Sequence, residues 1–135
     1  MLFRPALLPL LLAATALTFA GGCELLGGLS GSGGVDFGDP YTVVREASDL
    51  GSPPSLDAAG LHVSVTHSAG CAPHDFRLRH RIRGDAAEVW LHHDDHGEMC
   101  EALRFQRLTF TVPRAVLSAT TVVLLTPDGD PIPLL

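Results

Sequence analysis

All seven histidines lie between His62 and His96, and two of the three cysteines, Cys71 and Cys100, fall inside or just beyond that span. The segments Cys71-Ala-Pro-His74 and His96-Gly-Glu-Met-Cys100 together carry two thiols and two imidazoles. That is the number and kind of donor that tetrahedral zinc takes. His92 adds another imidazole, and His93, Asp94, Asp95 and Glu98 could replace a ligand or hold a ligating ring by a hydrogen bond. The order of these residues is not that of a familiar zinc finger.

The same two sulfurs have a simpler chemistry. In an exported protein neighbouring cysteines close a disulfide, and a Cys71–Cys100 bridge contributes roughly 3–4 kcal/mol on the chain-entropy model. That is large beside the 5–15 kcal/mol, roughly, that holds a small domain together. Three arrangements stay open: the disulfide alone, which is the expected state; zinc on Cys71, His74, His92, His96 and Cys100; or the disulfide with a metal on His74, His92 and His96 and no sulfur ligand.

The other candidate groups read more plainly. His80 falls on the apolar face of its segment, where a hydrogen-bonded core histidine is expected, and His62 and His67 read as decoration of a strand edge. The run Asp94-Asp95-His96-Gly97-Glu98 lacks EF-hand spacing and reads as a solvated loop. Arg77, Arg79, Arg81 and Arg83 alternate along one segment and form a row that could grip an anionic partner, although pairing with Glu88 and stacking on Trp90 account for part of it. No Gly-x-Ser-x-Gly elbow, phosphate loop or His-Glu-x-x-His helix occurs. Cys71 with His74 has no third group to orient a nucleophile and base, so a non-catalytic protein is expected.

The elements that must carry these residues are strands. Leu61-His62-Val63-Ser64-Val65-Thr66-His67 and the segment from Phe76 to Arg83 alternate apolar and polar residues, the period of a half-buried strand. Gly84 and Asp85 supply a turn, after which Ala87, Val89 and Leu91 share one face, so the two flanking segments predict a hairpin. A four-residue loop sets Arg83 opposite Glu88, and extending that register brings Cys71 opposite Cys100. Tyr41 to Glu46 predicts a first strand. Leu103 and Phe105 differ in parity from Leu108 and Phe110, which predicts a bulge near Gln106. Residues 120–126 form a further apolar run, Pro127-Asp128-Gly129-Asp130 a turn, and Ile132 to Leu135 a last strand. About seven strands in this length predict an all-β, immunoglobulin-like antiparallel sandwich.

Fifteen carboxylates against nine basic residues, all of them arginine, leave a net charge of −6 at pH 7. Nucleic-acid binding, which needs a basic stripe, is excluded on that balance. The sequence names no protein or glycan partner. The N-terminus has the three parts of an export signal: Arg4 in a short basic start, an apolar run from Ala6 to Ala20, and Gly21-Gly22 before Cys23.

The segment Phe19-Ala20-Gly21-Gly22-Cys23 resembles the lipobox of bacterial lipoproteins, with Ala20 where that family prefers leucine. The resemblance implies that residues 1–22 are removed, that Cys23 carries the lipid, and that the chain is held at a membrane, with Glu24 favouring the outer membrane over inner-membrane retention. Residues 23–39, rich in glycine and serine, then read as a tether, and residues 40–135 as the folded domain. Gly70-Cys71-x-x-His74-x-Phe76 together with Cys100-Glu101-Ala102 also resembles small bacterial lipoproteins that carry both elements around a β-hairpin. This second likeness implies the same kind of domain and no activity.

Overall fold

The structure is a computed structural model and describes residues 34–135; the readings made on residues 1–33, Cys23 among them, lie outside the described residues. The chain forms β1 (Thr42–Val43), β2 (Ser55–Asp57), β3 (Gly60–Ala69), β4 (Asp75–Arg83), β5 (Ala86–Asp94), β6 (Ala102–Phe110), a single helical turn α1 (Arg114–Leu117), β7 (Thr121–Leu124) and β8 (Ile132–Pro133). The expected all-β, two-sheet sandwich is what these strands build.

In one sheet β3 is central, with β6 along one edge and the short β1 and β2 sharing the other. The second sheet has the order β4-β5-β7-β8. One pair departs from the antiparallel expectation: after β6 has crossed to the other sheet, β7 returns to lie parallel to β5. Leu61, Val63 and Val65 of β3 meet Ala87, Val89 and Leu91 of β5 and Val122 and Leu124 of β7 in one core. Alternation puts these residues on the inner faces. Tyr41 also enters the core, donating its hydroxyl to Leu91 O at 2.7 Å. Burial pushes its phenol well above the ordinary range, against the hydrogen bond to Leu91.

Two expectations of register are corrected. The hairpin has a two-residue turn, Gly84-Asp85, so Arg83 pairs with Ala86 and Arg81 with Glu88. Gly84 takes φ 63°, a conformation that only glycine adopts freely and that closes a tight turn. The two-residue and four-residue loops bury the same parity, so apolar patterning could not separate them. There is also no bulge near Gln106: β6 pairs with β3 continuously from Leu61 opposite Phe110 to Ala69 opposite Ala102. Phe105 points to the outer face, where the bridge between Ser48 and Gly51 lies over it, and Leu103 is left 80% exposed.

A third correction concerns His80, which is exposed rather than part of the core. On β4 only Phe76 and Leu78 pack against the core, while Ile82 near the hairpin tip is exposed. The expected apolar stripe therefore stops two residues short of His80.

Candidate metal centre

Three histidines lie on or beside the apolar stripes of three strands. His67 follows Leu61, Val63 and Val65 on the inner face of β3, and His93 follows Ala87, Val89 and Leu91 on β5. His74 stands two residues before Phe76 at the entry to β4. The side chain of His74 is 2% exposed, and His67 and His93 are buried. One nitrogen of each ring lies within 4.8 Å of the others. Phe76 stacks on His93 at 4.3 Å, and Tyr41 meets the same ring edge-on at 6.0 Å. The imidazoles are thus the last layer of the core, walled by aromatic rings on one side.

Their hydrogen bonds place the hydrogens of His93 and His74. His93 Nδ1 is 3.1 Å from Asp39 O, which can only accept, so Nδ1 carries the hydrogen and Nε2 the lone pair. Burial holds His93 below its ordinary basicity; the Asp39 carbonyl acts in the opposite direction, and His67 and His74 add to the depression. His74 Nδ1 lies 2.8 Å from that Nε2 and therefore donates to it, while His74 Nε2 meets the Glu98 carboxylate. Glu98 is also an acceptor for Cys71 N–H. That bond holds its carboxyl below the ordinary carboxylate range against desolvation, with the His74 contact helping. His67 Nδ1 lies 3.0 Å from Ser68 O and Nε2 3.3 Å from Gln106 Oε1, so each of its ring nitrogens faces an acceptor oxygen and one of them donates.

This donor set fits a metal ion. Each ring has one nitrogen committed to an oxygen, namely Asp39 O, the Glu98 carboxylate or Ser68 O, which fixes ring orientation as the outer partners of zinc-binding histidines do. Zinc holds imidazole nitrogens at about 2.0–2.1 Å, hence about 3.3 Å from one another in a tetrahedron. The His74–His93 pair would open by about half an ångström to admit it.

The positions of His93 and Glu98 come from two loops. Phe37 to Asp39 runs as a strap beside the end of β5, with His93 N–H donating to Phe37 O and Asp39 N–H to His93 O, each at 2.9 Å. Gly38 permits that approach, since a Cβ there would stand 2.0 Å from His93 O. Glu98 belongs to the segment closed by the Cys71–Cys100 disulfide, whose Cα atoms are 6.0 Å apart. Pro40, Ser68, His93, Asp95, Glu98 and Met99 line part of a cleft of ≈ 330 Å³ that opens beside the rings. Of the three imidazoles, His93 borders it.

The residues proposed from sequence separate into three groups. Cys71 and Cys100 form the expected disulfide, although with the shorter turn it joins two loops rather than opposite ends of the β4–β5 ladder. His74 is in the centre, but the expected companions His92 and His96 are not. His92 shares a strand with His93 and so faces the other way, 3.3 Å from Asp36. His96, at φ 56° in the loop after β5, pairs with Asp75 at 3.1 Å and Asp94 at 3.4 Å. The imidazoles that come together and could hold a metal are those of His67, His74 and His93. Of the arginine row, Arg81 contacts Glu88 and lies 5.9 Å over Trp90, Arg83 approaches Glu88 at 3.6 Å, and Arg77 and Arg79 are exposed.

No protein-family model and no curated protein matches the chain. Among solved structures it is similar to a NigD-like immunity protein from Bacteroides caccae, with 17% identity and a TM-score of 0.49 over 71% of this chain. The matched region is 49% of that protein, so this chain spans about half its length.

Proposed function

We propose that the protein is a non-catalytic module of the bacterial envelope, lipid-anchored through Cys23, whose folded domain binds a divalent metal ion of the zinc type on His67, His74 and His93. The anchor rests on the lipobox-like Phe19–Cys23 segment, and Glu24 after it supports placement at the outer membrane. One observation carries the metal reading: three buried imidazoles converge, and each has its other nitrogen fixed on an oxygen. Surface histidines do not need such support, and core histidines serving only as packing do not need to meet one another.

The disulfide leaves the imidazoles as the ligands, so the ion has nitrogen donors and an open position toward the cleft. Metal analysis of the full chain, exported and purified without added metals and then titrated with zinc, tests this. One ion per chain is expected for the native protein and none for a His67→Ala/His93→Ala variant that keeps its sheet circular dichroism. A native protein that takes up no zinc, or a variant that binds as the native does, would overturn the proposal.

A further inference from the structure

The disulfide and the imidazole centre share one residue. Glu98 Oε2 accepts from His74, while Glu98 Oε1 accepts from the backbone of Cys71. The two sulfurs and a Glu98 oxygen form a second group of donors, all within 4.8 Å of one another. Cys71 is exposed to solvent and Cys100 partly so, and Cys100 and Glu98 line the cleft. A reductant therefore reaches the bridge, and an ion reaches the sulfurs. We propose that reduction of Cys71–Cys100 creates a second metal site, in which both thiolates and Glu98 Oε1 bind a soft divalent ion beside the histidine centre.

The chemistry balances with a dithiol as reductant. It gives two electrons and two protons, becoming its own disulfide, while the Cys71–Cys100 bond breaks to two thiols. Binding of zinc then releases those two protons to solvent and forms two zinc–sulfur bonds. Glu98 Oε1 exchanges the Cys71 N–H for the ion, and Oε2 keeps its bond to His74 Nε2–H. Three protein ligands leave a fourth position toward the cleft. The Cα separation of 6.0 Å already holds the two cysteines side by side, so the sulfurs part around an ion without a change of fold. Glu98 would thereby join the two ions, and the redox state of the compartment would set how many the domain holds. Only the total of two ions depends on the three-imidazole reading; the sulfur site stands by itself.

Cobalt(II) titration of the full chain distinguishes these claims, because thiolate ligands give a sulfur-to-cobalt charge-transfer band that imidazoles do not. One portion is kept oxidised; the other is reduced with a dithiol that is removed under argon before titration. The expected result is one cobalt without the band in the oxidised protein and two with it in the reduced protein. A Cys71→Ser/Cys100→Ser variant is expected to bind one cobalt, without the band, whether or not it is treated with dithiol. If the oxidised protein binds none and the reduced protein binds one with the band, the sulfur site stands and the three-imidazole reading fails. Equal counts before and after reduction overturn the second site, with or without a band, since a band at a count of one means the same ion has moved to sulfur. Loss of sheet circular dichroism on reduction that cobalt does not restore overturns it also, as does a second cobalt bound by the serine variant.

Discussion

His74 and His93 share one proton. His74 Nδ1 stands 2.8 Å from His93 Nε2, and because His93 commits its own N–H to Asp39 O, the hydrogen between the rings belongs to His74. A metal ion bound to both nitrogens takes the place of that hydrogen. The metal-free centre is therefore held together by the proton that the ion displaces.

Zinc binding is accordingly expected to release that proton, with affinity falling about tenfold per pH unit on acidification where it is bound. Potentiometric titration in weak buffer measures the release directly. Binding with no proton released would mean that the shared hydrogen is absent.

Glu98→Gln keeps the size of the side chain but replaces the carboxylate that accepts from His74. Metal affinity is expected to fall about 10–100-fold, the usual cost of losing an outer partner of a ligating histidine. Isothermal titration against the native protein checks the drop. An unchanged affinity would remove Glu98 from the centre.

The pH dependence of stability follows from His93 and Glu98, both held below their ordinary values. For His93 the unfolded chain takes up a proton near 6.5 while the buried ring stays neutral, so its contribution is full above 6.5 and is lost as pH falls through the depressed folded value. Glu98 behaves in the same sense below its ordinary value of 4.5. Urea unfolding of metal-free protein should therefore show stability falling from neutrality to about pH 5, with a shallower slope for His93→Leu. Equal slopes would contradict the assignment.

Gly38→Ala forces a Cβ to 2.0 Å from His93 O at a residue with φ 69°. The backbone conformation alone costs about 1–2 kcal/mol, and the clash adds to it by pushing the strap from β5. Gly34→Ala, at φ 72° with nothing within 4 Å of the new Cβ, supplies the control. Gly38→Ala is expected to weaken zinc binding and Gly34→Ala to leave it unchanged, as read by competition with a chromophoric chelator.

Removing the bridge by Cys71→Ser/Cys100→Ser is expected to cost roughly 3–4 kcal/mol, for a loop whose ends are 29 residues apart. The shift of the urea midpoint at unchanged slope measures it.

Much of this site was legible from strand parity. Leu61, Val63 and Val65 point to His67 as the next inward residue, and Ala87, Val89 and Leu91 point to His93 in the same way. Closeness to the cysteines in the sequence favoured His92 and His96 instead, one facing the other side of β5 and the other in a loop. His67, read as edge decoration, in fact lies on the inner stripe of β3 between Val65 and Ala69. The strap from Phe37 to Asp39 was not legible, because its glycine-rich surroundings resemble a tether and its hold on His93 is made by backbone atoms. Nor was the hairpin turn, since the two candidate registers bury the same side chains. Glu98, offered by the sequence as a group that could hold a ligating ring, does so against His74, although the loop closure that brings it there is encoded by neither alternation nor composition.

The central claim is that the imidazoles of His67, His74 and His93 hold the ion while the sulfurs remain bonded to each other. X-ray absorption at the zinc edge of the oxidised, zinc-loaded protein reads the ligand atoms directly. Three imidazole nitrogens at about 2.0–2.1 Å with no sulfur shell is the expected result. A zinc–sulfur distance near 2.3 Å, fewer than three imidazoles, or no zinc retained would contradict it.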